Sequence, residues 1–235
     1  MKTLIAIATY NEYGNINLLL DSIFKENLNS DVLFIDDNSQ DKTEKAIKHY
    51  QEKNSNIKLI SREKKMGVGS AHLRALEFAY SNKYEFLVTM DADFTHNPKY
   101  VKQMLKLNET YPVVIGSRHI EKGSIQTWPL FRKFLTFLAF FVTKNLLSIS
   151  FDSTSGFRSY NLKMIDRAIF NDIKSQSYSF FVETSFILNK KLNVRAIPIE
   201  MPIRFAEKSK MNFIDAFTTI FLIVKLFFKR FLYFR

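Results

Sequence analysis

The sequence predicts an α/β fold in which a mostly parallel central sheet is covered by helices. In the first half of the chain, short apolar runs alternate with segments of helical periodicity, and this alternation is typical of a mostly parallel sheet. The length of 235 residues suits one large domain. The apolar content of 46% is ample for its core.

The individual elements are predicted in chain order. Strands are expected at Leu4–Ala8, Val32–Ile35, Ile57–Ser61, Phe86–Met90 and Val113–Ile115. Helices are expected at Ile16–Phe24, from the turn at Asn38–Thr43 to about Gln51, and at Ser70–Tyr80. Asp41 or Ser39 is the expected N-cap of the second helix, because short polar side chains accept hydrogen bonds from the first free backbone N–H groups.

The stretch from Trp128 to Ile149 is rich in Phe and Leu and predicts an amphipathic helix at about 129–149. Its less apolar positions are spaced by four, three and four residues and share one helical face: Arg132, Thr136, Ala139 and Thr143. Lys133 and Lys144 bracket a run that is shorter than the roughly 20 residues needed to cross a bilayer. We therefore expect this helix to lie in a membrane interface.

The C-terminal stretch, residues 206–235, is predicted to be a basic amphipathic segment beside a domain formed by residues 1–205. From Phe213 onward, a narrow polar stripe runs along an otherwise apolar helix: Asp215, Thr218, Thr219, Lys225 and Lys229. Lys225 interrupts any membrane-spanning run, and a helix lying in the membrane interface accounts for both features. A core-facing helix or a dimer contact is the alternative.

The composition indicates an anionic partner and narrows the chemistry. The net charge of +11 suits nucleic acid, anionic lipid or phosphorylated ligands. The 24 Phe residues cluster with Leu and Ile rather than alternate with Arg and Gly, so a membrane surface is favoured over nucleic acid. The lack of cysteine excludes thiolate metal ligands and a cysteine nucleophile. The N-terminus is interpreted as a strand rather than an export signal, so we expect the cytoplasmic face of a membrane.

The most informative motif follows the strand expected at Phe86–Met90. Asp91 and Asp93 are two residues apart at the carboxyl end of that strand, where ligands bind in open α/β sheets. Such a pair can converge on a hard divalent cation and share it with a phosphate, as binding of a nucleotide diphosphate requires. A strand-end turn in which Asp caps the next helix is the alternative.

Three other loops follow predicted strands and should lie at the same edge of the sheet. Residues 9–12 follow the first strand, and Asp36 and Asp37 follow the second, where a carboxylate can accept from ribose hydroxyls. Residues 62–69 follow the third, and the glycines at 67 and 69 are candidates for letting the backbone approach a phosphate. Each loop also has a structural interpretation, such as a helix cap at Glu12 or a turn at Asp37.

Seven short motifs follow one another along the chain, at residues 8–12, 36–43, 62–71, 90–98, 116–118, 128–132 and 152–160. Together they resemble the dolichol-phosphate mannosyltransferase group within glycosyltransferase family 2. The resemblance covers roughly residues 3 to 211. Its last segment, Asp152-Ser153-Thr154-Ser155-Gly156-Phe157-Arg158-Ser159-Tyr160, is the most selective for polyprenyl-phosphate transferases.

The resemblance implies a GT-A-type fold and inverting transfer of a sugar, mannose from GDP-mannose in the leading interpretation, to polyprenyl phosphate. It implies a nucleotide site formed by Thr9, Tyr10, Glu12, Asp37, Asp91 and Lys210. It implies Mg²⁺ or Mn²⁺ held by Asp91, Asp93 and Thr95. It implies an acceptor-phosphate site at Arg118, Arg132 and Thr136, with Asp91, Asp93, Arg118 and Arg132 as the catalytic set.

Two alternatives stay open. The same fold and acceptor are compatible with a UDP-sugar, and charge and aromatic content alone suggest a non-catalytic module that binds lipid or nucleic acid. The expected partners are a nucleotide-sugar donor, polyprenyl phosphate and a membrane surface, without nucleic acid; a membrane-protein partner subunit is compatible with them. The loop at 206–211 is shorter than in relatives, and Glu183 matches a family position that has no evident role.

Overall fold

The computed structural model describes residues 2–202 and 213–232. Its strands are β1 Thr3–Thr9, β2 Ser30–Asp36, β3 Ile57–Ser61, β4 Phe86–Asp91, β5 Val113–Ser117, β6 Arg158–Asn161 and β7 Val194–Pro198. Its helices are α1 Tyr13–Lys25, α2 Thr43–Lys53, α3 Val68–Ser81, α4 Val101–Leu107, α5 Leu130–Leu147, α6 Ser179–Lys191 and α7 Phe213–Leu232. Two 3-10 turns lie at Pro98–Tyr100 and Arg167–Asp172.

The seven strands form one sheet in the order β3-β2-β1-β4-β6-β5-β7. The first four run parallel, β6 is antiparallel to both of its neighbours, and β7 is again parallel to β5. In the register, Thr9 pairs with Asp36 and Ala8 with Asp91. Because β1 is flanked by two parallel strands, the chain leaves the sheet in opposite directions on either side of it, which creates the crevice where ligands bind in such sheets.

Apolar side chains on the two faces of the sheet form two core clusters. One cluster joins the sheet to α1, α2 and α4, and the other joins it to α3, α6 and α7. Helix α1 shows how the sequence produces this packing: its buried Ile16, Leu19, Leu20 and Ile23 follow the spacing of one helical face. Burial of each such side chain contributes about 1.5–3 kcal/mol of favourable transfer free energy.

The predicted mostly parallel α/β sheet is confirmed, and so are the five predicted strands. The sequence pattern does not predict β6, because its residues Arg158, Ser159 and Asn161 are polar although they are buried. It does not predict the short strand β7 either. The N-cap position of α2 is Lys42, so the expected N-cap at Asp41 or Ser39 is wrong. Asp41 still accepts a hydrogen bond from the backbone N–H of Thr43 at 2.9 Å.

Helices α5 and α7 pack against each other and leave a broad apolar surface exposed. The inner side of α7 contributes Ile223 and Leu226 to the same core cluster as α3 and α6. The exposed apolar side chains are Leu130, Phe131, Phe134, Leu135, Phe137, Leu138 and Phe141 of α5, and Phe213, Ile214, Phe217, Ile220, Phe221, Val224 and Phe228 of α7. Across the two described ranges, no helix has the length and hydropathy needed to cross a bilayer.

Candidate active site

The loops after β1, β2 and β4 meet at one edge of the sheet, since β1 runs parallel to both neighbours. Each loop contains a residue in the left-handed backbone region: Asn11 at φ 55°, Asn38 at φ 59° and Phe94 at φ 62°. Asparagine tolerates this conformation, whereas a residue such as phenylalanine is strained by about 1–2 kcal/mol. The sharp turns keep all three loops close to the ends of their strands.

The carboxylate of Asp36 ties the first two loops together. It is fully buried and accepts hydrogen bonds from the hydroxyl of Thr9 at 2.9 Å and from the backbone N–H of Ser39 at 2.8 Å. The hydroxyl of Ser39 donates to the same carboxylate and accepts from the backbone N–H of Asn11. The hydroxyl of Thr9, a predicted nucleotide-site residue, therefore positions Asp36 and the second loop.

Asp37, the second predicted carboxylate of this region, lies between the loops after β2 and β3. It accepts hydrogen bonds from the backbone N–H groups of Gly67 at 3.0 Å and Met66 at 3.3 Å, and it pairs with Arg62. Burial raises the pKa of Asp37, while the nearby Arg62 guanidinium acts in the opposite direction. The position of this carboxylate therefore depends on the loop at 66–67.

Tyr10 and Glu12 belong to the loop after β1. The ammonium group of Lys65 lies 4.3 Å from the centre of the Tyr10 ring, in a cation–π contact. The buried carboxylate of Glu12 accepts a hydrogen bond from the Asn15 side chain at 2.6 Å. The backbone N–H of Glu12 donates to the hydroxyl of Thr43, which fixes the first loop against the start of α2. The structure thus brings Thr9, Tyr10, Glu12 and Asp37 to one crevice.

The two aspartates of the central motif differ in their environment. Asp91 is the last residue of β4, and its side chain is 33% exposed at the crevice. Asp93 is buried and accepts hydrogen bonds from the hydroxyl of Thr95 at 2.6 Å and from its backbone N–H at 3.2 Å. Thr95, one of the predicted metal ligands, holds the Asp93 carboxylate in one orientation here.

His96 is a residue of this site that the sequence interpretation missed. Its Nδ1 accepts a hydrogen bond from the backbone N–H of Asp91 at 2.9 Å, so this nitrogen carries no proton. The ring is buried and stacks on Phe157, with 5.1 Å between the ring centroids. His96 therefore fixes the end of β4 from which Asp91 projects. The one signal for this role in the sequence is the position of His96, five residues after Asp91 in a turn.

The chemistry of the two aspartates fits Mg²⁺ or Mn²⁺, which prefer oxygen ligands. Among residues 2–202 and 213–232, no group of three or more His, Cys, Asp or Glu side chains could hold a metal ion. Two carboxylates are nevertheless enough where a substrate diphosphate and water complete the coordination, as is usual for Mg²⁺ bound with nucleotides. Asp91 and Asp93 would hold such an ion, and Thr95 would support Asp93.

Arg118 is held by a buried carboxylate. Its Nε lies 2.5 Å from Oδ2 of Asp152, and its Nη2 donates to the hydroxyl of Thr154 at 3.1 Å. Burial alone would raise the pKa of Asp152, but the adjacent Arg118 guanidinium keeps it below its ordinary value. Asp152 is thus ionised at neutral pH and fixes the direction of the Arg118 side chain.

Arg132 lies near Arg118 because both contact Trp128. The guanidinium carbon of Arg132 is 3.7 Å from the centre of a Trp128 ring, and that of Arg118 is 5.8 Å away. The indole N–H donates to the carbonyl oxygen of Met201 at 3.0 Å, so the ring is anchored to the chain after β7. The sequence interpretation quoted Trp128 in a motif but gave it no role; the structure makes it the support of both arginines.

The polar stripe of α5 faces inward, and its apolar remainder is exposed. Thr136, predicted to contact the acceptor, is half-buried and one turn from Arg132. Further along the stripe, the buried Thr143 accepts a hydrogen bond from the hydroxyl of Ser153 at 3.2 Å. The stripe therefore leads from the arginines to the segment that carries Asp152.

The fully buried Arg158 anchors the segment that follows Asp152. Its guanidinium donates to a set of oxygens in the segment and in α6: the carbonyls of Ser153, Ser155 and Phe181, and the hydroxyls of Thr184 and Ser185. A buried charge needs such full hydrogen bonding to be tolerated. The arginine of the selective motif thus shapes the Asp152 loop from within the protein.

Gly67 and Gly69, the candidates for letting the backbone approach a phosphate, have a packing role in the structure. Gly67 has a φ of 92°, and a Cβ there would lie 2.6 Å from the carbonyl oxygen of Gln176. A Cβ on Gly69 would collide with the backbone of Gln176 and with Cβ of Phe180. The space beside both glycines is filled by residues 176–180 of the protein, so the glycines serve close packing. Lys210, the remaining predicted nucleotide residue, lies outside the described residues.

An open α/β sheet with an Asp-Ala-Asp motif at the end of its central strand defines a GT-A-type glycosyltransferase. More specifically, the chain belongs to Glycosyl transferase family 2, whose model matches residues 4–174.

Two curated relatives match most of the chain. It is 30% identical over 217 residues to an undecaprenyl-phosphate mannosyltransferase of Micrococcus luteus, and the match covers 90% of this chain and 88% of that protein. It is 28% identical over 218 residues to a polyprenol monophosphomannose synthase of Mycolicibacterium smegmatis, covering 90% and 81%.

Solved structures share the fold at lower identity. Glucosyl-3-phosphoglycerate synthase of Mycobacterium tuberculosis, in complex with Mn²⁺, UDP-glucose and phosphoglyceric acid, has a TM-score of 0.70 at 16% identity. The match covers 96% of this chain and 79% of that one. S. aureus TarS 1–349 with UDP-GlcNAc has a TM-score of 0.62 at 20% identity, covering 96% and 66%. These likenesses confirm the predicted GT-A-type fold.

Proposed function

We propose that this glycosyltransferase transfers a sugar from a nucleotide donor to polyprenyl phosphate with inversion, and that the donor is GDP-mannose. The observation that carries the proposal is the convergence of Arg118 and Arg132 on Trp128, next to the exposed apolar surface of α5. A phosphate with an isoprenoid tail needs this combination of charge and apolar surface. The two curated mannosyl-transferring relatives support the same substrates.

On the donor side, Thr9, Tyr10, Glu12 and Asp37 would bind the nucleoside, and Lys210 is a further candidate. Asp91 and Asp93 would hold Mg²⁺ or Mn²⁺ together with the donor diphosphate. The bound cation supplies charge neutralisation for the leaving nucleoside diphosphate. Asp93, oriented by Thr95, and Asp91, fixed by His96, would keep that arrangement rigid, which favours transition-state stabilisation over ground-state binding.

On the acceptor side, Arg118, Arg132 and Thr136 would bind the phosphate head. Guanidinium groups match phosphate oxygens with paired hydrogen bonds. A phosphate monoester is already anionic near neutral pH, so its oxygen can attack without a dedicated general base. Two anions must approach each other in this reaction, and the two arginines offset their repulsion while they orient the attacking oxygen.

The exposed apolar surface of α5 and α7 would rest on the cytoplasmic face of a membrane. Lys144, Lys225 and Lys229 lie on these helices, and basic side chains near an apolar face favour anionic lipid surfaces. This attachment is peripheral and brings the arginines to the depth of lipid phosphate groups. The same surface is also compatible with a membrane-protein partner subunit.

The proposal is tested by incubating the purified protein with radioactive GDP-mannose, undecaprenyl phosphate and Mn²⁺, and counting label in the lipid extract. We expect label in the lipid, loss of label with a chelator, and loss of label in Arg132→Ala. Lys133→Ala, at the adjacent position, is the matched control and should retain transfer. Transfer from UDP-glucose instead of GDP-mannose would overturn the donor assignment, and no transfer from any nucleotide sugar would overturn the function.

A further inference from the structure

We infer that Glu183 is a positioning residue for the nucleotide site, acting through the 174–177 segment and the glycine loop, defined as residues 66–70 and including the first residues of α3. This inference rests on the proposed function, because it assumes that Asp37 binds the donor nucleoside. Glu183 lies on α6, its side chain is buried, and it does not belong to the crevice itself. Its effect is carried by a continuous series of hydrogen bonds and close contacts.

The first step joins Glu183 to the 174–177 segment. One carboxylate oxygen, Oε2, accepts hydrogen bonds from the backbone N–H groups of Lys174 at 3.0 Å and Ser175 at 2.8 Å. Hydrogen bonds from backbone N–H to a carboxylate are among the stronger ones in proteins. The segment connects a 3-10 turn to α6 and is exposed or half-buried along its length. The two bonds to Glu183 therefore hold its first two residues, while the hydroxyl of Ser177 donates to the Asp215 carboxylate and holds its last residue.

The second step joins the segment to the glycine loop. The carbonyl oxygen of Gln176 accepts a hydrogen bond from the backbone N–H of Ser70 at 3.0 Å. Because Gly67 and Gly69 have no Cβ, this loop and the 174–177 segment can approach each other more closely than other residues would allow. The glycine loop is thus pressed against the residue that directly follows the two bound by Glu183.

The third step joins the glycine loop to the crevice. The backbone N–H groups of Met66 and Gly67 donate to Oδ2 of Asp37, and Arg62, which pairs with Asp37, also donates to the hydroxyl of Ser70 at 2.6 Å. A shift of the loop therefore moves the donors that orient Asp37. Glu183 thus helps to position the loop, and the loop helps to position the Asp37 carboxylate.

Two kinds of variant test the inference. Glu183→Ala removes both hydrogen bonds, whereas Glu183→Gln keeps an amide oxygen that can accept them. Gly69→Ala disturbs the contact between the glycine loop and Gln176 from the side of the loop. It replaces Glu183→Ala as the test variant if Glu183→Ala does not yield folded protein. Leu188→Val, at a fully buried position five residues further along α6, controls for general loosening of the helix.

Calorimetry with GDP, and separately with UDP, in the presence of Mn²⁺ provides the readout. We expect Glu183→Ala and Gly69→Ala to weaken nucleotide binding by about tenfold or more, the equivalent of losing one to two charged hydrogen bonds. Glu183→Gln should recover most of the affinity, and Leu188→Val should keep it. Hydrogen exchange at the amides of Gly67 and Ser70 should accelerate in the first two variants and not in the control.

The outcomes separate this inference from the proposed function. If the unmodified protein binds neither GDP nor UDP, the proposed function fails. If the unmodified protein binds a nucleotide and folded Glu183→Ala or Gly69→Ala binds it equally well, the positioning role of Glu183 is overturned while the proposed function stands. A loss of affinity of the same size in Leu188→Val would also overturn it, because general destabilisation would then explain the effect.

Discussion

The imidazole Nδ1 of His96 accepts a hydrogen bond from the backbone N–H of Asp91 at 2.9 Å. This bond fixes the end of β4, which contains Asp91 and is followed by Asp93. The histidine ring is buried against Phe157 and acts from behind the site. The bond gives the Asp91 backbone N–H an acceptor close to the proposed metal site. The arrangement gives His96 a role in orienting Asp91.

We predict that His96→Phe weakens donor binding, because the ring can still stack but no longer accepts a hydrogen bond. Leaving this partly buried donor unsatisfied costs about 1–3 kcal/mol, so KM for the nucleotide sugar should rise by up to roughly 5- to 150-fold when that cost falls on donor binding. His96→Asn, whose amide oxygen can accept, should show a smaller effect. Steady-state kinetics at several Mn²⁺ concentrations measures this, and equal KM values for His96→Phe and the unmodified protein would contradict it.

A second prediction concerns the pairing of Arg132 with Trp128. Arg132→Lys keeps the positive charge but loses the planar group that stacks on the indole and binds phosphate through two hydrogen bonds. We expect KM for polyprenyl phosphate to rise by about tenfold or more, equivalent to at least one charged hydrogen bond, while KM for the donor stays unchanged. An unchanged KM for polyprenyl phosphate would show that Arg132 does not serve the acceptor side, and an equal rise in donor KM would show that its role is not specific to that side.

The third prediction uses the pH dependence of the Arg118–Asp152 pair. Burial raises the pKa of Asp152, but Arg118 and the other neighbours outweigh this effect, so the folded-state pKa lies below the ordinary value of an aspartate. A carboxyl group with a lowered folded pKa contributes stability that is present above its unfolded pKa and is lost as pH falls through its folded pKa. This contribution should therefore not fall between pH 7 and about pH 5, and it should be lost as pH drops past the unfolded pKa of about 3.9 and through the lower folded pKa.

Urea unfolding of the unmodified protein and Asp152→Asn at each pH measures that contribution as a difference in the free energy of unfolding. Removing one partner of a buried ion pair typically destabilises a protein by about 3–5 kcal/mol, because the other charge is left uncompensated. A difference that already shrinks between pH 7 and pH 5 would contradict the lowered pKa. Glu77→Gln, in an exposed pair with Arg74, is the control and should change stability little.

The sequence was sufficient for the parallel half of the sheet, because there each strand is an apolar run that ends in polar loop residues. It was insufficient for β6, whose buried Arg158 and Asn161 obtain their hydrogen bonds from partners distant in the chain. The same limit applies to Gly67 and Gly69. Their spacing suggested a phosphate loop, but the atoms that require glycine there belong to Gln176 and Phe180, more than 100 residues away in the sequence.

The candidate site shows the same division. The sequence singled out Asp91 and Asp93 through the chemistry of metal binding at a strand end, and Arg118 and Arg132 through the family resemblance; the roles of all four stay predictions. Their supports could not be predicted, since His96, Trp128 and Asp152 act through geometry that only the folded chain creates. A single buried histidine, tryptophan or aspartate can have many structural roles in a protein. Only its contacts in the folded structure show which role it has.

The last prediction concerns the exposed apolar surface of α5 and α7. Phe131 and Phe134 are 72% and 61% exposed, so replacing both with Ser removes little packing and should leave the melting temperature nearly unchanged. Each Phe contributes about 1.5–3 kcal/mol when it enters an apolar environment. If the surface binds a membrane, the double variant should bind vesicles of phosphatidylcholine and phosphatidylglycerol at least about tenfold more weakly.

Phe24→Ser provides the matched control, because Phe24 is also exposed but lies on α1, in the layer on the opposite face of the sheet. It should not change vesicle binding. Co-sedimentation with vesicles measures the affinity, and added salt should weaken it, since the basic side chains of α5 and α7 act through screened electrostatics. Equal binding of the double variant and the unmodified protein would show that another surface meets the membrane, and that the acceptor reaches Arg132 by a route other than α5.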